Sequence, residues 1–176
     1  MNYEAMTAIA QRDRPEWDSY FMAQAYIAAT RATCHRKHVG CVLVSQDNHV
    51  ISTGYNGSPP GKPHCGDDNH EISDGHCIRT VHAEANAISQ AARKGVSTLG
   101  ARCYTTIIPC YDCAKLLITA GISHVAFHGF YQSRYDSSDK VTQFLREANI
   151  EIRRLHFSMN DVTSLVLEEE STSPQK

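Results

Sequence analysis

Residues 101–129, ARCYTTIIPCYDCAKLLITAGISHVAFHG, read as a strand, a helix and a second strand. ARCYTT (101–106) is short and rich in strand formers. PCYDCAKLLITAG (109–121) opens with a proline at the first helical turn and closes with a glycine past the end. ISHVAFHG (122–129) returns to strand character. A helix between two strands is a crossover, so part of the sheet is parallel. The same rhythm continues downstream, where residues 138–149 read as a helix and EIRRLHF (151–157) as a last strand. Upstream, HAEANAISQAARKG (82–95) is a helix ending at Gly95. VGCVLVS (39–45) and HVISTGY (49–55) are strands joined by a tight turn at Asp47-Asn48. Trp17, Phe21, Ala25 and Ala28 repeat at helical spacing, predicting a helix over 15–33 entered through Pro15. The order predicts an α/β protein: a three-layer α-β-α sandwich with a five-stranded mixed sheet.

The chain has 176 residues, enough for one domain and a sizeable core. We expect a single domain over 1–157 and a polar, partly disordered tail over 158–176. A net charge of -2 and a pI near 6.5 argue against a protein that coats nucleic acid. The N-terminus lacks the basic start and apolar core of a signal peptide, and no apolar run reaches membrane-spanning length. The expectation is a cytoplasmic protein with no membrane partner. In a reducing compartment its seven cysteines point to metal or catalysis rather than to disulfides.

Cys110 and Cys113 stand at i and i+3 of one predicted helix, so both sulfurs can reach one ion. His82 begins another helix, and Glu84 follows two residues later. Taken singly, the thiols could be a redox pair, a structural clip or core residues, His82 a helix-start residue and Glu84 a solvated charge. Together, with Pro109 in place, they match H-x-E…P-C-x-x-C, the signature of zinc deaminases. One His and two Cys leave the fourth position of Zn2+ open, as in catalytic rather than structural sites. Because two thiolates weaken the ion's pull on water, a carboxylate is needed to take the proton, and Glu84 is the candidate.

A second group lies in the insertion at 56–80, NGSPPGKPHCGDDNHEISDGHCIRT, which is too polar and broken to pack alone. Cys34, Cys65, His70 and Cys77 could close a tetrahedral structural zinc there. His64 and His76 are rivals to His70, each adjacent to a cysteine. Cys41 and Cys103 sit in apolar strands and read as buried thiols.

TVHAEANAI, YTTIIPCYDCAKLLITAGI and STGYNGSP make residues 15–157 resemble the cytidine deaminase superfamily, and within it the bacterial and phage deoxycytidylate (dCMP) deaminases. The resemblance implies hydrolysis of dCMP to dUMP and ammonia, which supplies thymidylate synthesis, and a hexamer. It implies that Glu84 takes a proton from the attacking water and passes protons to N3 and the leaving amine. It places Asn56 at a sugar contact and gives relatives a second zinc near Cys34 and Cys65. The 5′-phosphate requires cations, for which Arg31, Arg36, Lys37, Lys62 and Arg134 are candidates. Tyr131 is a candidate base or phosphate contact. Activation by dCTP and inhibition by dTTP, each with Mg2+, are implied at Gly54, Tyr55, Asn56 and Gly57, together with Arg93. The rivals are a deaminase of another nucleoside, base or tRNA, and a non-catalytic zinc scaffold.

Overall fold

The computed structural model describes residues 14–65, 70–73, 76–130, 138–160 and 162–163. Along the chain these form α1 (Trp17–Ala29), β1 (Gly40–Val44), β2 (Val50–Tyr55), β3 (Ile72–Ser73), β4 (His76–Cys77) and α2 (Ala83–Arg93). There follow β5 (Arg102–Ile107), α3 (Tyr111–Thr119), β6 (His124–Gly129), α4 (Ser138–Glu147) and β7 (Glu151–Arg154). The expected elements are all present. The insertion adds a hairpin, β3–β4, that the sequence did not announce, because two-residue strands are too short to carry an alternating pattern.

The main sheet has the order β2-β1-β5-β6-β7. β1 pairs antiparallel with both β2 and β5, whereas β6 runs parallel to β5 and β7. The sheet is therefore mixed, as the hairpin and the two crossovers require. Side chains alternate between its faces. Cys41, Leu43, Cys103, Val125 and Phe127 point to the side packed by α2, α3 and α4. Val42, Val44, Tyr104 and Ala126 meet Phe21, Met22 and Ala25 of α1 on the other.

Element ends follow local chemistry with three departures. Gly95, Gly121 and Asn149 terminate α2, α3 and α4 in left-handed conformations (φ 67°, 74° and 59°). Pro15 and Pro109 lie just before the caps, which are Glu16 and Cys110, rather than inside the first turns. α1 stops at Ala29 instead of running to 33, because the Thr33 amide donates to the Asn56 carbonyl (3.1 Å), a tertiary partner. The last strand ends at Arg154, and Phe157 instead stacks on Tyr26 with ring centroids 5.4 Å apart.

Two glycines set the layer spacing. A Cβ on Gly40 would lie 1.9 Å from the Ala25 carbonyl oxygen of α1, and one on Gly54 would lie 2.1 Å from that of Ala83 in α2. Since β1 and β2 pair Cys41 with Gly54, the hairpin admits a helix closely on each face at neighbouring positions. Both contacts are with backbone atoms that no rotamer change can move. Gly54→Ala is therefore expected to destabilise the fold by about 2–3 kcal/mol or more, measured as a lower urea midpoint with an unchanged slope.

Candidate functional site

α2 and α3 begin at the same edge of the sheet, with His82 and Cys110 as their N-cap residues. The Nδ1 of His82 lies 3.4 Å from the Cys110 sulfur and 3.4 Å from the Cys113 sulfur, and the three ligand atoms are all within 4.8 Å of one another. A tetrahedral zinc with ordinary Zn–S and Zn–N bonds separates its sulfur and nitrogen ligands by about 3.5 Å. The donor set therefore fits zinc, and three ligands leave a fourth direction open. The Cys113 amide donates to the Cys110 sulfur (3.5 Å), as expected for a thiolate at a helix N-terminus. A hydrogen bond from Cys113 is the main cause that lowers the Cys110 pKa to about 4. The Cys110 thiolate in turn raises His82 to about 9.

Glu84 lies in the first turn of α2 and is 4% exposed. Burial pushes its carboxyl above the usual carboxylate range. It lines a pocket of about 350 Å³ together with His82 and Cys110. Val39, Ile107 and Ile108 give this pocket apolar walls, and Arg36 and Lys37 contribute cationic side chains.

Cys77 and Cys34 line the same pocket. The Cys77 sulfur lies 3.7 Å from the Cys65 sulfur, close to the separation of about 3.8 Å between two thiolates on one tetrahedral zinc. Cys65, His70 and Cys77 offer ligand atoms all within 4.8 Å of one another. The Nδ1 of His70 is buried with no hydrogen-bond partner, the state of a donor atom built for an ion. His70 rather than the exposed His64 thus joins the cluster. Cys34 is not a member of that group of three. It is 5% exposed, and the ring of its neighbour His35 stands edge-on to His70 at 6.4 Å. Burial opposes ionisation of Cys77, but hydrogen bonds from Thr80 and His70 prevail and lower its pKa to about 6.

The remaining predicted residues divide. Asn56 lines the pocket, yet its Oδ1 accepts from the Val39 amide (2.7 Å) and its Nδ2 donates to the Lys37 carbonyl (2.8 Å). Its amide holds the cationic 36–39 segment in place. Gly54 and Gly57, read from the sequence as allowing close approach of a ligand, have intramolecular neighbours instead. Gly54 admits α2, and a Cβ on Gly57 would lie 2.6 Å from the Thr33 hydroxyl. Tyr55 and Arg93 are exposed. Arg31 and Lys62 are exposed and do not line the pocket. Tyr131, Arg134 and the tail beyond Thr163 lie outside the described residues. Cys41 and Cys103 are fully buried with sulfurs 3.5 Å apart. Sequence reading missed Val39, Ile108 and Thr80 as pocket residues, since nothing in their type or spacing separates them from core or loop positions.

Residues 15–129 match the cytidine and deoxycytidylate deaminase zinc-binding region. ComE operon protein 2 of Bacillus subtilis is 40% identical over 143 residues, which cover 81% of this chain and 73% of that protein. The deoxycytidylate deaminase of Schizosaccharomyces pombe is 37% identical over 151 residues, covering 81% of this chain but only 45% of the yeast protein. The chain thus spans under half of that relative's length. A crystal structure of dCMP deaminase from the cyanophage S-TIM5 in complex with dCMP and dUMP superposes with a TM-score of 0.70 at 27% identity, covering 81% of this chain and 99% of the other.

Ionised thiols in the two clusters have a measurable consequence. At pH 6 in metal-free, reduced protein, iodoacetamide is expected to modify Cys110 and Cys77, whose pKa values are lowered to about 4 and 6, while sparing Cys41, which burial and Cys103 hold protonated. Peptide mass mapping with and without added Zn2+ checks this, with zinc protecting both reactive thiols.

Proposed function

Because the chain belongs to the cytidine and deoxycytidylate deaminase family, we propose that it hydrolyses dCMP to dUMP and ammonia. In this reading His82, Cys110 and Cys113 hold the catalytic Zn2+. The observation that carries the reading is a buried carboxylate, Glu84, beside a three-ligand set that opens onto a nucleotide-sized pocket. Zinc held there supplies Lewis acidity that makes water a nucleophile near neutral pH.

The protein's own groups do the rest. Glu84 accepts one proton from the water that attacks C4 and delivers it to N3; it then takes the remaining proton from the new C4 hydroxyl and passes it to the amine, which leaves as ammonia as the C4 carbonyl forms. Its raised pKa suits it to both directions of transfer, since a strongly acidic carboxyl would take the proton poorly. Val39, Ile107 and Ile108 pack the base and exclude water. Arg36 and Lys37 pair with the 5′-phosphate, and Asn56 keeps their segment in position while facing the sugar. Tyr131 and Arg134 complete the nucleotide contacts. Cys34, Cys65, His70 and Cys77 hold a second, structural Zn2+ that folds the insertion onto the body.

Regulation belongs to the same reading. dCTP activates and dTTP inhibits, each with Mg2+, at the edge formed by Tyr55, Asn56 and Arg93, with Gly54 and Gly57 shaping that edge through their packing on α2 and Thr33. The Asn86 side chain donates to the Tyr55 carbonyl (2.7 Å), which ties that edge to the helix bearing Glu84 and supports a route between them. Subunits associate, as a hexamer, in the cytoplasm. The exposed Trp17, Tyr20 and Ile27 on one side of α1 support self-association. Among the described residues no helix is long and apolar enough to cross a membrane.

The test follows ammonia release with dCMP, cytidine and dCTP offered separately. Turnover of dCMP alone, raised by dCTP and lowered by dTTP with Mg2+, is the expected result. Glu84→Gln should keep fold and zinc content while losing about 10²–10⁴-fold in kcat. Full activity in that variant would remove Glu84 from the chemistry, and no turnover of any nucleotide by the zinc-loaded protein would favour a scaffold.

A further inference from the structure

The segment from Cys77 to His82 joins the two clusters, and Thr80 sits at its middle. The Thr80 hydroxyl lies 3.1 Å from the Cys77 sulfur and 3.6 Å from the Cys65 sulfur, and the residue lines the same pocket as His82. Val81, the next residue, is tied to Gly57 by two backbone hydrogen bonds of 2.9 and 3.1 Å. Gly57 is seated in turn on the Thr33 hydroxyl, which also accepts from the Ser58 amide (3.2 Å). His82 then leaves this braced segment as the N-cap of α2 with Nδ1 toward Cys110 and Cys113.

From this arrangement we infer that Thr80 is a positioning residue that couples the Cys65–His70–Cys77 cluster to His82. A hydroxyl has one proton to donate. The shorter contact assigns it to Cys77. The hydrogen bond fixes Cys77 as a ligand and holds the backbone two residues before His82. An ion in the insertion cluster therefore steadies the histidine that serves the other cluster, and its loss loosens that histidine. The inference rests on the reading that both clusters hold metal, but not on the identity of the substrate.

The test uses metal release instead of turnover. Wild type, Thr80→Val and Thr80→Ser are loaded with Co2+, and the thiolate-to-cobalt absorption is followed after excess EDTA is added. A Cys110→Ser control identifies the phase that belongs to the His82 cluster. Thr80→Val, which keeps the shape and removes the donor, should speed release from the insertion cluster by about 10-fold and speed the His82 phase as well, with Thr80→Ser restoring both. Circular dichroism checks the fold, and Thr80→Ala serves if valine proves too crowded. Unchanged rates in both phases, an effect confined to the insertion cluster, or no rescue by serine would overturn the coupling. A wild type that binds one ion would overturn it too while leaving the catalytic reading intact, whereas one that binds none would remove both.

Discussion

How closely α2 can lie on β2 governs the site. At Gly54 the strand presents no side chain, and the Ala83 carbonyl and Ala87 amide occupy the space that a Cβ would need. Ala83 and Ala87 are themselves small and fully buried, so strand and helix backbones meet almost directly. This contact sinks the first turn of α2 and buries Glu84 with it. Taking a carboxylate out of water costs free energy, and that cost shows as a carboxyl whose pKa is raised by burial. In the proposed reaction the same burial suits the group to proton transfer. Packing at one glycine thus sets the burial of a carboxyl on the facing helix.

The second organising feature is electrostatic. His82 and Cys110 are both N-cap residues, so two helix N-termini point toward one set of ligands. Exposed amides and aligned peptide dipoles favour thiolates there before any ion arrives. The insertion works differently. Its sequence is polar and rich in glycine and proline, and its hairpin β3–β4 is only two residues per strand. In the proposed reading, soft ligands to a metal take over the role that a core plays elsewhere. Because Cys77 also lines the pocket, the insertion cluster forms part of the wall of the cavity that holds His82, Glu84 and Cys110.

The elements were legible in the sequence because each obeys local rules: a hairpin turn at Asn48, glycines after α2 and α3, and helices between the parallel strands. The errors fell where a tertiary partner outbid the local preference, as when the Asn56 carbonyl took the Thr33 amide and ended α1 early. Ligand identity was legible for the same reason that metal chemistry is selective. Few roles other than zinc explain His82, Glu84, Cys110 and Cys113 in that spacing and order.

Other properties belong to the fold alone. Whether Asn56 points its amide at a ligand or at the 37–39 backbone, and whether Gly54 serves a nucleotide or a helix, depends on what lies opposite. The gathering of Thr80, Cys77 and Glu84 in one pocket likewise depends on how the insertion folds back. The sequence by itself determined the order of elements and the donor atoms, since periodicity and coordination chemistry are properties of residue type and spacing. Tertiary structure decided which donors meet, which carboxylate is buried and which glycine is indispensable, because distance and desolvation exist only between segments brought together.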